Sequence, residues 1–194
     1  FNGAASGLGL LQIPPLDLKQ VEVIKGSAST LYGGGAIAGL VNLISKTPTA
    51  DRELKFHLNG TNALGLDVNM FYGQRFRKFG LTIFTSRNSN VAYDPADINL
   101  SAIPEFQRYT VNPSLFFYPS DKTTIVWRIN AGIENRLGGN MDYIKENTST
   151  GYFEKNKSER LSSQLSLDHD FGEHSHFNIK QSVSYFNRQL RSPG

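Results

Sequence analysis

The chain has 194 residues, a formal net charge of +3 and no cysteine. Without cysteine it can form neither a disulfide framework nor a thiolate-ligated metal or redox centre. Its 39% hydrophobic and 19% charged residues suit a folded protein, and the small, dispersed charge gives no nucleic-acid-binding footprint. No stretch reaches the roughly 18 consecutive apolar residues that a membrane-spanning helix requires.

Residues 1–47 are rich in glycine and small side chains and contain two short apolar runs. These runs, Val21–Ile24 and Leu40–Ile44, predict two strands. Between them, Ser27–Tyr32 predicts a short helix, and Gly33–Gly35 predicts the turn that ends it. We therefore expect a small α+β unit that differs in pattern from the rest of the chain.

From about residue 53, apolar and polar residues alternate strictly, which is the period of a strand with two different faces. Seven strands are predicted, and only His169 and Gln181 on their apolar face are clearly polar. The remaining positions of that face are Leu54, Phe56, Leu58, Leu66, Val68, Met70, Tyr72, Leu81, Ile83, Tyr109, Val111, Pro113, Leu115, Phe117, Ile125, Trp127, Ile129, Ala131, Ile133, Leu165, Leu167, Phe171, Phe177, Ile179, Val183 and Tyr185. The opposite face is predicted to be polar, with charges such as Lys55, Asp67 and Arg128.

A water-soluble sandwich with its apolar face inward would show the same alternation. Two features favour lipid against that face instead. Strands of about ten residues, when tilted, can cross the apolar band of an outer-membrane barrel, whereas soluble strands average five or six. The links also alternate between short and long, with the short ones expected on the periplasmic side. The short links are Arg77–Lys78, Pro119–Lys122 and Gly172–Ser175, and the long links are about 88–105 and 136–157.

The segment from Val21 to Lys46 resembles the end of the plug domain of TonB-dependent outer-membrane receptors. That family reads approximately E-V-(I/L)-(K/R)-G-x-A-x-x-L-Y-G-x-x-A-x-x-G-x-(V/I)-N-(I/L)-(I/V)-(S/T)-K. This chain follows the pattern over about 26 residues without a gap, and the preceding Ile13–Leu18 also fits it. The motif is more similar to siderophore and cobalamin receptors than to the glycan-importing subfamily, which usually has an aspartate after the lysine.

The resemblance implies a mainly-β fold. Residues 1–47 would be the C-terminal part of a plug domain, and residues 48–194 would be the N-terminal strands of a transmembrane β-barrel. The barrel would be an antiparallel up-and-down barrel of about 22 strands, of which about seven are here. The plug remnant is expected on its luminal side.

The resemblance also implies a transport receptor in the outer membrane of a Gram-negative bacterium. Such a receptor binds a scarce extracellular ligand and imports it with energy from an inner-membrane TonB complex. A ferric siderophore is the expected ligand, with cobalamin and haem as alternatives. The TonB contact is expected in a part of the protein that is not in this sequence. No enzymatic activity, cofactor or nucleic-acid partner is expected.

Two sets of site residues follow from the resemblance. The first is a contact or switch between plug and barrel wall, formed by Glu22, Lys25, Gly26, Tyr32 and Gly33. Lys25 would pair with carboxylates of the inner wall, because buried charges are costly unless they are paired. The alternative is that Glu22 and Lys25 are packed structural charges.

The second set consists of aromatic residues in the long outer loops: Tyr93, Tyr143, Tyr152 and Phe153. In similar receptors such loops carry aromatics that cover a ligand, although they could also be ordinary loop residues. The histidines and carboxylates between Asp168 and His176 favour a solvated turn over a metal site. Two other functions remain as alternatives, namely a soluble or surface-attached adhesin or lectin-like module and a barrel enzyme.

Overall fold

The computed structural model describes residues 15–25, 39–172 and 175–193. The chain divides between Thr47 and Pro48 into two compact units. Among the described residues, no helix is long and apolar enough to cross a bilayer.

The first unit contains a two-stranded antiparallel sheet. Its elements are a 3-10 helix at Pro15–Asp17, strand β1 at Leu18–Lys25 and strand β2 at Gly39–Ser45. Val23 is paired with Val41, and Glu22 with Asn42. Both predicted strands are confirmed, and each is slightly longer than its apolar run. The predicted helix Ser27–Tyr32 and the glycine turn lie outside the described residues.

The second unit is a seven-stranded antiparallel sheet in which each strand pairs with its neighbours in the chain. Its elements are β3 Glu53–Gly60, β4 Leu66–Arg75, β5 Phe79–Asn90, β6 Glu105–Ser120, β7 Thr123–Gly139, helix α1 Met141–Ile144, β8 Phe153–Gly172 and β9 Ser175–Arg191. The predicted mainly-β fold, strand number and up-and-down order are therefore confirmed.

The strand register joins the predicted apolar positions into one continuous face, called here the apolar face. Rows that cross β6 to β9 are Leu115–Trp127–Leu165–Gln181 and Val111–Ala131–Leu161–Tyr185. Most of its large side chains are exposed, and Phe56 reaches 70%. A contiguous exposed apolar surface of this extent is unusual for a soluble monomer.

The opposite face of the sheet, called here the inner face, holds the buried side chains of this unit. Four of them are apolar: Phe71, Phe84, Phe116 and Val126. Phe71 is paired with Phe84, and its ring lies beside Gly73, where a Cβ atom would approach the ring to 3.2 Å. The inner face also carries buried polar residues, as predicted, but its packed apolar side chains were not among the predicted positions. A few isolated aromatic residues on a mostly polar face barely change the alternation of apolar and polar residues, so the sequence pattern does not reveal that they are buried.

The last four strands are longer than predicted, at 16 to 20 residues each. All three short links occur where they were expected. The second long link, however, shrinks from about 136–157 to 140–152, because pairing continues to Gly139 and Phe153. Both faces are polar there, so the period-2 hydrophobic pattern disappears although the backbone ladder does not.

Candidate functional site

The long links 91–104 and 140–152, at the end of the sheet called here the loop end, are tied together by hydrogen bonds. Asp142 N donates to Asn99 Oδ1 at 3.1 Å, and Asn99 Nδ2 donates to the Asp142 carboxylate at 2.9 Å. Ser101 N donates to Gly139 O at 2.9 Å, while Gly139 N donates to Ser101 Oγ at 2.9 Å. The two links therefore form one structural unit.

This junction depends on two backbone positions with positive φ. Asn99 has φ of 60°, a conformation that asparagine tolerates better than most residues. Gly139 has φ of 125°, and a Cβ atom there would lie 2.3 Å from Tyr152 O. Only glycine fits at position 139, because any side chain would clash with the neighbouring backbone.

The structure brings two of the four predicted ligand-contacting aromatics together. Tyr143, on α1, stacks on Phe153 with ring centroids 4.5 Å apart and planes 5° apart. Phe153 is the first residue of β8, so its predicted place within the loop is wrong. Tyr152 is 53% exposed. Tyr93 lies in the other link, where its backbone bridges to Ile103. Exposed, partly stacked rings of this kind can cover an organic ligand.

Two of the five predicted plug residues lie in β1. The Glu22 carboxylate accepts hydrogen bonds from Gln20 Nε2 and Asn42 Nδ2, both at 2.9 Å. Lys25 is exposed at the end of the strand. Glu22 thus has polar partners within its own sheet. Gly26, Tyr32 and Gly33 lie outside the described residues.

A buried ionic cluster at the loop end of the inner face was missed by sequence reasoning. Glu134 is 8% exposed and lies between two arginines, 2.6 Å from Arg108 Nε and 2.8 Å from Arg136 Nη2. Both guanidinium groups also lie near the ring of Phe106, at 5.5 and 5.7 Å from its centroid. Removing one member would leave the others desolvated, which is costly. The three formal charges sum to +1, so the cluster can attract an anion.

The sequence contains part of the information that predicts this cluster, but the strand register is needed to bring its members together. Alternation alone places Arg108, Glu134 and Arg136 on the inner face. The register then pairs Arg108 with Glu134 and Phe106 with Arg136 directly across β6 and β7. Arg136 Nε is buried and has no hydrogen-bond partner in the part of the chain that the structure describes.

The histidine-rich segment lies at the opposite end of the sheet, beside the short link between β8 and β9. His176 Nδ1 is 2.6 Å from Asp170 Oδ1, and both side chains are exposed. His169 points to the other face, where its Nδ1 contacts Thr123 Oγ1 at 2.9 Å. The described ranges contain no group of three or more histidine, cysteine, aspartate or glutamate residues that could hold a metal ion.

Comparison with known proteins gives a family match and partial relatives. Residues 1–40 match the model of the TonB-dependent receptor plug domain. The ferrioxamine receptor of Yersinia enterocolitica is 29% identical over 157 residues, which are 75% of this chain and 20% of that protein. The ferrichrome outer membrane transporter/phage receptor of Escherichia coli strain K12 is 28% identical over 152 residues, which are 73% and 17%. The chain spans about a fifth of the length of these relatives.

Among solved structures, the ferric-catecholate import receptor Fiu from E. coli K12 matches with a TM-score of 0.67. The match covers 89% of this chain and 29% of that chain at 17% identity. Similarity at this identity concerns the fold, so the seven-stranded meander corresponds to part of a receptor barrel. Together with the plug motif and the plug-domain match over residues 1–40, these relatives support a siderophore-type TonB-dependent receptor of the outer membrane.

Proposed function

We propose that the whole protein binds a ferric siderophore at the cell surface and imports it with TonB-transmitted energy. In this chain the plug domain ends near residue 47, and the transmembrane barrel strands follow from residue 48. The observation that carries the proposal is the contrast between the two faces of the sheet. In the rows that cross the middle of the sheet, one face is apolar, exposed and without formal charge, and the other is packed and polar, as a barrel wall around a plugged lumen requires.

The joined long links are the proposed ligand-contacting part of this chain. Tyr143 and Tyr152 belong to the link 140–152 and Phe153 directly follows it, whereas Tyr93 belongs to the link 91–104. Rigid aromatic rings give large contact area at low entropic cost. The named ligands of the two relatives, ferrioxamine and ferrichrome, support a ferric siderophore as the ligand class.

In the plug part, Lys25 is the proposed contact to the inner barrel wall, together with Glu22, Gly26, Tyr32 and Gly33. The exposed ammonium group at the end of β1 is available to a carboxylate of the wall. The Glu22 carboxylate is already held by Gln20 and Asn42, so its proposed role is to fix β1 against β2.

Deletion of the gene in its host, with growth on single defined iron sources, tests this function. We expect the deletion strain to lose uptake of at least one radiolabelled ferric siderophore. Wild-type complementation should restore the uptake, and an uncoupler or loss of TonB should abolish it. Normal uptake of every siderophore, haem and cobalamin by the deletion strain would contradict the proposal.

The adhesin or lectin alternative has no support among the relatives, whose names describe receptors and transporters. The same names argue against the barrel-enzyme alternative. Agglutination or glycan-array binding by the purified full-length protein, without any energy-dependent uptake, is the result that would favour an adhesin.

A further inference from the structure

The segment that joins the two units comprises residues 46–52 and is called here the connector. Its first residue is held within the first unit, because Lys46 N donates a hydrogen bond to Asp17 O at 2.8 Å. Thr47 is exposed and makes no hydrogen bond with any described residue. Hinges in proteins are a few loop residues of this kind, which change their backbone angles without breaking other contacts.

Pro48, the first residue of the second unit, packs against β5. Its ring is buried and lies on Gly80, where a Cβ atom would come within 2.6 Å of Pro48 Cγ. Glycine is required there, because both the backbone of β5 and a proline ring are too rigid to make room for a side chain. One residue later, Thr49 O accepts a hydrogen bond of 2.7 Å from Arg75 N, the last residue of β4. Two neighbouring strands therefore hold the chain directly after Thr47.

The burial of Pro48 is an exception within the connector. The five residues around it that are exposed are Thr47, Thr49, Ala50, Asp51 and Arg52. The contact lies on the inner face of the sheet, because Gly80 alternates along β5 with the buried Thr82 and Phe84. Withdrawing the ring would leave a void beside β5, whose lining atoms would lose their dispersion contacts. We call the contact between Pro48 and Gly80 the anchor.

We propose that Thr47 is a hinge and that the anchor is the point at which movement of the plug ends. This inference rests on the proposed function, in which TonB-transmitted energy rearranges the plug while the barrel keeps its shape. When the residues before Thr47 move, rotation about its backbone takes up the change in direction, and the anchor keeps β4 and β5 undisturbed. The plug thus remains tethered to the wall at a fixed residue throughout import.

Urea unfolding of the purified full-length receptor in liposomes tests the anchor without ligand or energy. Single nitroxide labels replace Val21 in β1, Ala50 in the connector and Lys78 between β4 and β5, and all three side chains are exposed. Parts of one protein can unfold separately, so the label at 21 should become mobile at lower urea than the label at 78. The label at 50 should follow the label at 78, although only two residues separate it from Thr47.

Gly80→Ala directs the added methyl group at the ring of Pro48 and should shift the midpoint of the label at 50 to that of the label at 21. The matched control is Gly172→Ala, because a Cβ atom at that position would meet nothing within 4 Å. It should leave all three midpoints unchanged. Should Gly80→Ala fail to fold, Pro48→Gly tests the same contact, since it removes the ring without adding an atom to β5.

The double variant Gly80→Ala/Pro48→Ala separates the anchor from strain elsewhere in β5. Pro48→Ala removes Cγ, the atom that the new methyl group meets, whereas Pro48 Cβ lies 3.4 Å from the same position and can stay. Residues in direct contact show such coupling in double-mutant cycles. The double variant should therefore recover at least half of the shift that Gly80→Ala causes.

Mobility of the label at 50 together with the label at 21 in the wild-type receptor would overturn the proposal. Coincident midpoints of the labels at 21 and 78 would also overturn it, because plug and barrel would then not rearrange separately. So would an unchanged midpoint of the label at 50 in Gly80→Ala or, if that variant does not fold, in Pro48→Gly. Uptake of ferric siderophores tests the transport function independently, since the urea measurement involves no ligand.

Discussion

The two faces of the seven-stranded sheet carry similar large side chains in opposite environments. Phe56 on the apolar face is 70% exposed, whereas Phe71 on the inner face is 1% exposed. A water-soluble monomer rarely exposes a continuous apolar surface such as the one that contains Phe56. The contrast indicates that the apolar face is suited to contact with lipid. The side-chain packing that stabilises the sheet lies on the inner face. Lipid exposure and internal packing are thus separate requirements on alternate residues of each strand.

Removing a packed inner aromatic should have the largest effect. Phe71→Ala leaves a cavity beside Phe84 and Gly73, and buried Phe→Ala changes cost about 3–5 kcal/mol. The midpoint of denaturant unfolding of the full-length receptor in liposomes measures this cost. The control Phe56→Ala, on the apolar face of β3 beside the Lys55–Phe71 pair, should cost clearly less, and equal losses would contradict the distinction between the faces.

A charge on the apolar face should have the next largest effect. Ile129→Arg places a guanidinium group near the middle of the bilayer, at a cost of about 2–4 kcal/mol. The adjacent Asn130→Arg, on the inner face, should cost much less because that side chain is exposed and polar. Unfolding in liposomes measures both variants. Comparable destabilisation by the two changes would show that residue parity does not decide lipid exposure.

The aromatic pair at the loop end should matter for ligand binding. Tyr143→Ala removes the ring stacked on Phe153 and should weaken siderophore binding by the full-length receptor about 5- to 30-fold, as expected for a contributing aromatic contact. Phe76→Ala, which removes a ring stacked on Phe79 at 4.8 Å at the opposite end of the sheet, is the control and should leave affinity unchanged. Titration of intrinsic fluorescence reports both, and unaltered affinity in Tyr143→Ala would remove this pair from the site.

The smallest expected effect is on the junction of the long links. Asn99→Ala removes two hydrogen bonds to Asp142, and a hydrogen bond contributes about 0.5–1.5 kcal/mol. Amide exchange in residues 91–104 and 140–152 should become faster, with no change in the barrel strands. Asn147→Ala loses only a 3.4 Å contact to the same carboxylate and should show little change. Faster exchange in both variants would mean that the junction does not depend on Asn99.

Much of the fold could be predicted because charged residues are absent from the strand positions that contact lipid, which makes the alternation clear in the sequence. Seven strands, their order and the short links follow from that alternation. The strand ends do not, since beyond Glu159 both faces are polar while pairing continues to Phe153. Phe71 and Phe84 escaped prediction for a related reason. They are apolar residues on a face whose average is polar.

The site residues were harder to predict because they depend on contacts between distant segments. Alternation places Arg108 and Arg136 on the inner face, but only the register brings Glu134 between them. The junction requires the positive φ of Asn99 and Gly139. No local sequence pattern in the two links predicts that they are joined. Aromatic content marked Tyr143 and Phe153 as candidates, and their stacking is set by α1, which is too short to be visible in the sequence.

Spin-label accessibility along β7 most directly tests the claim that the apolar face of the sheet contacts lipid and the inner face does not. This chain has no cysteine, so single cysteines at consecutive positions 126–131 of the full-length receptor can each carry one nitroxide. Labels at 127, 129 and 131 should collide with oxygen in the bilayer and not with a water-soluble nickel chelate, while those at 126, 128 and 130 should show low oxygen exposure. Equal oxygen exposure at all six positions, or access of the chelate to 127, 129 and 131, would contradict a lipid-facing apolar surface.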